Sequence, residues 1–223
     1  IAAIARALNQ MSETMQMAEM DRAVMLAGVS HDLRTPLTKL RLSLTMLHGA
    51  DPDLLISAER QVSRIETMMA QFLEYARGFS KEQMQTVNLK SLLHEAVIIS
   101  SVDTSTKIEC PAEMHVVLKH SAVLRGVSNL VINASIHGIP PIEIRARRSN
   151  GILTIDVSDA GLGIAPDEVN LLIRPFARGD SARTNGGTGL GLAIVNQVAL
   201  AHKGTLEFKR TEERFRAILK WPE

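Results

Sequence analysis

The chain has 223 residues, a net charge of +1 and a single cysteine, and 45% of its residues are hydrophobic. The small net charge argues against binding to the phosphate backbone of nucleic acids. The lone Cys110 excludes a disulfide framework or a cysteine zinc site and fits a reducing compartment. Only 3% of the residues are aromatic, which favours packed helices over a β-sandwich. The length allows one large domain or two modest ones.

A heptad-spaced apolar stripe opens the chain, at Ile1, Ile4, Leu8, Met11, Met15 and Ala18. Arg22 interrupts it, and the stripe resumes in a shifted phase at Leu26, Val29, Leu33, Leu37, Leu40, Leu44 and Leu47. The shift indicates either a signalling joint or a plain boundary between two packing units. Because the chain begins without Met inside a helical pattern, we expect it to be part of a longer protein. No apolar run approaches the roughly 18 residues that cross a bilayer.

A second helix is predicted after the turn at His48-Gly49. Asp51 precedes Pro52, a pair typical of a helix start, and Gly78 marks the end. Residues 1–77 would then form a helical hairpin with one apolar stripe on each arm. Burying one Leu-sized side chain is worth about 1.5–3 kcal/mol, and a lone hairpin leaves much of both stripes wet. We therefore predict a homodimer whose four helices form an antiparallel bundle.

The rest of the chain mixes helices with strand hairpins, which predicts an α+β architecture. After a polar joint at residues 80–86, Asn88 is expected to cap a helix over residues 89–100. Two further helices are predicted over residues 121–137 and 190–202. Strands are predicted over residues 106–109, 116–118, 143–148, 152–158, 206–210 and 215–221.

His31 lies off the apolar stripe of the first helix, so its ring is expected to face solvent. Its neighbour Asp32 can hold one ring N–H and leave the other nitrogen free for nucleophilic attack. Thr35, one turn further along, can orient a water, and Pro36 is expected to loosen the helix there. Each residue also has a plainer interpretation as part of a solvated helix surface.

An acid and two glycine clusters predict a nucleotide pocket. Asp159 ends a predicted strand, and its carboxylate can accept a hydrogen bond from the exocyclic amine of adenine. Guanine presents a carbonyl at that edge, so we expect ATP to be preferred over GTP. The glycines that follow, Gly161 and Gly163, allow close backbone approach, and those of residues 187–191 lead into a helix N-terminus suited to anions.

Polar side chains nearby complete the predicted pocket. Asn129 and Asn133 share a helix face, and a side-chain amide oxygen is a fair Mg²⁺ ligand beside phosphates. We expect Asn133 to be that ligand. Arg178 and Arg183 either reach the phosphates or are solvated charges.

Together these motifs resemble the sensor histidine kinases of bacterial two-component systems. Residues 30–37 resemble the phosphoacceptor box, residues 129–137 the asparagine box, residues 159–164 and 187–192 the two glycine boxes, and Phe176 the phenylalanine box. Residues 27–37, 175–176 and 178–183 are most similar to the EnvZ-type osmosensor subgroup. The resemblance implies that nucleotide contacts come from Asn129, Asn133, His137, Asp159, Gly161, Gly163, Ile164, Phe176, Arg178, Gly187, Thr188, Gly189, Leu190, Gly191 and Leu192.

The resemblance also implies an architecture and a reaction. Residues 1–17 would end a HAMP linker, residues 18–79 would form the dimerisation and phosphotransfer hairpin, and residues 80–223 a Bergerat-type ATP-binding α/β sandwich. The chain would use ATP and Mg²⁺ to phosphorylate His31 and pass the phosphoryl group to an aspartate of a response-regulator receiver domain. Dephosphorylation of that regulator, with Thr35 orienting water, is implied as well. The parent protein would lie in a bacterial inner membrane, with this portion in the cytoplasm.

One position departs from the family pattern. Ile136 stands where the family often has a basic residue, so a phosphate contact is absent or supplied by His137 or Arg178.

Two other functions compete with the kinase. One rival is a nucleotide-binding scaffold without chemistry. The other is an ATPase of the chaperone or mismatch-repair type, against which the exposed His31-Asp32 pair argues.

Overall fold

The computed structural model describes residues 37–44, 52–79, 81–102, 106–177, 188–211 and 213–223. The chain divides into two compact units, Ile1–Gly78 and Phe79–Glu223. The heptads of residues 1–18 and the turn at residues 48–49 lie outside the described residues, so those expectations stay predictions. No helix in the described part of the chain is both long and apolar enough to cross a membrane.

In the first unit, residues 37–44 are helical and helix α1 follows over Pro52–Arg77. Proline fits the first helical position because its missing N–H has no partner there in any case. Gly78 ends the helix with a positive φ of 56°. Both predicted ends of this helix are therefore confirmed. Arg41 Nη1 and Glu66 Oε2 lie 3.7 Å apart, so the 37–44 segment runs beside the middle of α1.

The second unit contains seven strands and four helices among the residues described. In chain order they are β1 (Gln85–Asn88), α2 (Leu89–Ser100), β2 (Lys107–Glu109), β3 (His115–Leu118), α3 (His120–His137), β4 (Glu143–Ser149), β5 (Ile152–Asp159), α4 (Val169–Leu172), α5 (Gly191–Ala201), β6 (Thr205–Arg210) and β7 (Phe215–Pro222).

Five strands form one sheet in the order β2-β4-β5-β7-β6. Strand β2 is parallel to β4, and the other neighbours are antiparallel. Apolar side chains on one face of β4 and β5, such as Ile144 and Leu153, are fully buried, as a sheet with one covered face requires, and from Ile155 to Asp159 every residue of β5 is buried. Charged residues such as Arg145 lie on the other face, where Arg145 pairs with Glu109 at 2.7 Å.

Helices supply the second layer. α3 contacts both α2 and α5, and the shared core combines their aliphatic side chains with those of the sheet, including Leu92, Val127, Val195, Ile155 and Leu219. Asn88 caps α2 as predicted, because its Oδ1 accepts a hydrogen bond from Ser91 N at 3.0 Å. The predicted α+β sandwich is confirmed.

Two elements were not predicted from the sequence. The stretch assigned to a polar joint ends in strand β1, where Val87 pairs with Val116 of β3 in a separate two-stranded sheet. This strand forms because β3 offers it a partner, which local composition does not reveal. The glycine-rich stretch after β5 contains the single-turn helix α4.

His202 directly follows helix α5 and is buried, with 3% of its surface exposed. Its Nε2 accepts a hydrogen bond from Lys119 N at 3.0 Å, and its Nδ1 lies 2.8 Å from Val198 O. Since a backbone N–H can only donate and a carbonyl can only accept, the ring is neutral with its proton on Nδ1. Burial lowers the pKa of His202 accordingly. The ring also lies against Trp221, with centroids 4.8 Å apart.

Candidate nucleotide-binding site

Asp159 is the last residue of the central strand β5 and is 5% exposed. Its Oδ1 accepts hydrogen bonds from Gly161 N at 2.7 Å and from Ile139 N at 3.4 Å. A further bond, from Ala160 N to Ile139 O at 2.7 Å, ties the same two loops together. Both hydrogen bonds to the carboxylate among the described residues end at Oδ1, so Oδ2 can accept one from a ligand.

Glycines surround Asp159 because nothing larger fits. A Cβ on Gly138 would lie 2.4 Å from the Asp159 carboxyl carbon, and one on Gly161 would lie 2.7 Å from Oδ1. Gly163 has a positive φ of 74°, and a Cβ there would lie 2.0 Å from the Phe215 ring. The loops therefore approach the carboxylate at a distance that only glycine allows.

The two asparagines of α3 face the first residue of α5. A Cβ on Gly191 would lie 3.2 Å from Asn129 Oδ1 and 3.6 Å from Asn133 Oδ1. Asn129 Nδ2 also donates to Arg125 O at 2.9 Å, which orients its amide. The absence of a side chain at Gly191 thus lets the helix N-terminus approach the two amide oxygens closely. Free N–H groups and oxygen ligands side by side suit a phosphate chain with its Mg²⁺.

The segment before α5 is held by its own backbone. Gly189 has a φ of 72°, and its carbonyl accepts a hydrogen bond from Phe176 N at 2.9 Å. Leu190 N donates to Thr188 Oγ1 at 3.4 Å, and Leu190 itself is fully buried. Phe176 has a positive φ of 64° and is 57% exposed, so its ring is not part of the core.

The remaining predicted residues are distributed as follows. His137 ends α3 and is exposed, and Ile136 before it is 47% exposed. Ile164 and Leu192 are half-buried. Helix α3 joins the two halves of the site, since Asn129, Asn133 and His137 follow at intervals of four residues, or about one turn each.

Six predicted residues lie outside the described part of the chain, namely His31, Asp32, Thr35, Arg178, Arg183 and Gly187. Their roles stay predictions.

Sequence reasoning missed residues that contact the site from a distant part of the chain. Arg210 Nη1 donates to Gly161 O at 2.9 Å and also to Leu162 O. Phe215, opposite Asp159 in the β5–β7 register, lies under Gly163. No local motif marks either residue, because each acts only once the β6–β7 turn is placed against the end of β5.

This arrangement suits an adenine nucleotide. A buried carboxylate with one oxygen open to a ligand reads an exocyclic amine, while the glycine-lined α5 N-terminus and two amide oxygens suit phosphates and a hard cation. A sheet with one helical layer and this site at the end of its central strand is the arrangement expected of an ATP-binding domain.

Comparison with protein families assigns each unit to a domain type. Residues 119–223 match the histidine kinase-, DNA gyrase B-, and HSP90-like ATPase family. Residues 21–78 match the His Kinase A (phospho-acceptor) domain. The chain therefore carries the phospho-acceptor domain and the ATPase domain of a histidine kinase.

Individual relatives agree with this assignment. The sensor histidine kinase MtrB of Mycobacterium tuberculosis is 32% identical over 233 residues, covering 93% of this chain and 41% of the relative. The sensor-like histidine kinase SenX3 of Mycobacterium bovis is 32% identical over 206 residues, covering 84% of this chain and 50% of the relative. The chain thus spans at most half the length of these relatives.

Solved structures share the fold. Full-length ShkA in complex with AMPPNP superposes with a TM-score of 0.71 at 20% identity, covering 89% of this chain and 45% of ShkA. The Acinetobacter baumannii histidine kinase AdeS gives a TM-score of 0.60 at 18% identity, covering 86% of this chain and 97% of AdeS.

Proposed function

We propose that this chain transfers the γ-phosphoryl group of ATP to His31 and then to an aspartate of a response-regulator receiver domain. In the first step a ring nitrogen of His31 attacks the γ-phosphorus. An N–P bond forms, the bond to the bridging oxygen breaks, and ADP leaves. The observation that carries this proposal is the site at Asp159 and Gly191, joined in one chain to a phosphoacceptor family match over residues 21–78.

The chain's own residues have separate tasks in this scheme. Asp159 reads the adenine, and the N-terminus of α5 receives the phosphates together with Thr188, Gly189 and Leu192. Asn133, supported by Asn129, would hold Mg²⁺, which offsets phosphate charge when bound. Near neutral pH most of a histidine with an ordinary pKa of about 6.5 is already unprotonated, so Asp32 serves mainly to hold one tautomer of His31.

The same chain is proposed to remove the phosphoryl group from the regulator. A hydroxyl at Thr35, one helical turn beyond His31, would orient the attacking water. Residues 27–37, 175–176 and 178–183 support placing the chain in the EnvZ-type osmosensor subgroup. The longer relatives MtrB and SenX3 are described as sensor or sensor-like histidine kinases, and we propose that the parent protein is anchored in an inner membrane with this portion in the cytoplasm.

We further propose the domain division 1–17, 18–79 and 80–223, and a homodimer formed by the hairpins. The division is supported by the two compact units Ile1–Gly78 and Phe79–Glu223. The dimer is supported by apolar side chains that the single chain leaves exposed on its helices, namely Leu40, Leu42, Leu54, Ile56 and Ile65. Sedimentation should give twice the chain mass at micromolar concentration, and a monomer there would contradict the dimer.

The decisive test is labelling with γ-³²P-ATP and Mg²⁺. We expect label that is lost in acid, as a phosphoramidate is, and that is absent from the His31→Gln variant. The matched control is His94→Gln, which removes an exposed histidine on α2 and should leave labelling unchanged. Nucleotide binding without any labelling would support the scaffold instead.

A further inference from the structure

The turn between β6 and β7 reaches the first glycine loop through Arg210. Its Nη1 donates to the carbonyl of Gly161 at 2.9 Å and to that of Leu162. These are the second and third residues after Asp159, and Gly161 N is the donor that orients Asp159 Oδ1. Gly161 therefore accepts from the guanidinium at its carbonyl and donates to the Asp159 carboxylate from its own N–H.

Among the residues that the structure describes, few other contacts hold the outer side of the glycine loop. The Leu162 side chain is 81% exposed, so its burial contributes little to fixing the loop. Gly163 has a φ of 74°, in a region that glycine visits without preference for a single conformation. The Phe215 ring packs against Gly163 of this loop and stacks on the Phe208 ring, with ring centroids 5.9 Å apart.

Hydrogen bonds also connect the residues that follow Arg210. Thr211 N donates to Arg214 O at 2.8 Å, and Arg214 N donates to Thr211 Oγ1 at 3.1 Å, which closes the β6–β7 turn. Arg214 also holds the opposite loop, since its Nη1 lies 3.4 Å from Pro141 O and its Nη2 donates to Glu143 Oε1 at 2.9 Å. Arg210 and Arg214, on either side of this turn, thus donate hydrogen bonds to the two loops beside Asp159.

We infer that Arg210 is a positioning residue for the adenine nucleotide. Hydrogen bonds from a charged donor are stronger than neutral ones, so two of them to adjacent carbonyls hold the loop in one conformation before the ligand arrives. Removing them leaves the loop to be ordered on binding, which weakens affinity for every nucleotide that uses Asp159. This inference rests on the proposed function of the site.

The test compares Arg210→Met, Arg210→Lys and the control Lys209→Met in the full chain. Lys209 is the preceding residue. Its Nζ lies 3.5 Å from Glu207 Oε2 and does not contact the loop. Calorimetry measures binding of AMP, ADP and AMPPNP. We expect Arg210→Met to weaken all three by the same factor, about tenfold, equivalent to ~1.4 kcal/mol. Arg210→Lys should recover part of the loss, and Lys209→Met should bind as the parent does.

Kinetics supply an independent readout. For Arg210→Met the KM for ATP should rise by the same factor, while the rate of His31 labelling at saturating ATP stays at the parental value. Unchanged affinity would overturn the inference, as would an equal loss in Lys209→Met. A loss confined to ADP and AMPPNP would overturn it in favour of a direct phosphate contact. If the parent binds none of the three, the proposed ATP site itself fails, which the parental titration reveals by itself.

Discussion

Gly163 gives a sharp test of how the β6–β7 turn supports the nucleotide loop. In Gly163→Ala, the new Cβ would lie 2.0, 2.3 and 2.5 Å from three carbons of the Phe215 ring. Ordinary carbon contacts are about 3.5–4.0 Å, so the ring must retreat by roughly 1.5 Å or the loop must lift. Overpacking of this kind costs about 1–3 kcal/mol. The φ of 74° adds about 1–2 kcal/mol for a residue that carries a Cβ.

The total is therefore roughly 2–5 kcal/mol of unfolding free energy. The matched control is Gly151→Ala in the β4–β5 turn, where φ is 70° but no atom lies within 4 Å of the added Cβ. Only the backbone term applies there, so we expect a loss of about 1–2 kcal/mol. The difference between the two variants isolates the collision with Phe215.

Trp221 makes the measurement specific to the C-terminal unit. It is the only tryptophan of the chain and is 2% exposed, so its emission reports unfolding of that unit during a urea titration. Phe215→Leu in the Gly163→Ala background should recover about 1–3 kcal/mol relative to the sum of the single variants. Equal losses for the two alanine variants, or strictly additive effects in the double variant, would refute the reasoning.

Three further predictions concern other residues. Asp159→Asn should keep the bond from Gly161 N but present an amide donor to the adenine amine, so ATP affinity should fall roughly tenfold or more and the preference over GTP should shrink, as calorimetry would show. Asp32→Asn should slow labelling of His31 by about tenfold or more with an unchanged circular dichroism spectrum, and a parental rate would remove Asp32 from the mechanism. Because burial lowers the pKa of His202, the unfolded chain binds its proton first, so stability should hold above about pH 6.5 and decline below it. His202→Gln should flatten that decline in Trp221-monitored titrations, and an identical slope would contradict it.

Local patterns were enough to predict most elements of the second unit. Asn88 before an apolar run predicted the start of α2, and Gly78 predicted the end of α1, because caps depend on a few adjacent residues. Strand β1 was missed because Gln85 and Thr86 have no apolar alternation, and only pairing with β3 makes them extended. Pairing between distant segments is a tertiary property that composition does not carry.

The residues of the candidate site likewise fall into two groups, those in contiguous sequence motifs and those placed by tertiary contacts. Asp159 and the glycines could be located from the sequence because each motif is contiguous. The contact between Gly138 and Asp159 depends on how the end of α3 meets the end of β5. Arg210 and Phe215 depend on the β5–β7 register, which places Asp159 opposite Phe215. The sequence therefore predicts the residues that we propose to contact the nucleotide. The residues that hold them in position are identified only from the fold.

The central place of β5 bears on how the protein fluctuates. Strand β5 is paired with β7 along its whole length and with β4 over residues 152–158. Backbone amides in such a strand exchange with solvent mainly through global opening, whereas edge strands fray more easily. Asp159 stands at the end of this strand, so transient melting of β2 or β6 would leave the carboxylate in place. The position of the carboxylate should therefore persist up to the temperature at which the whole domain melts, whereas the glycine loop also depends on Arg210 at the end of β6.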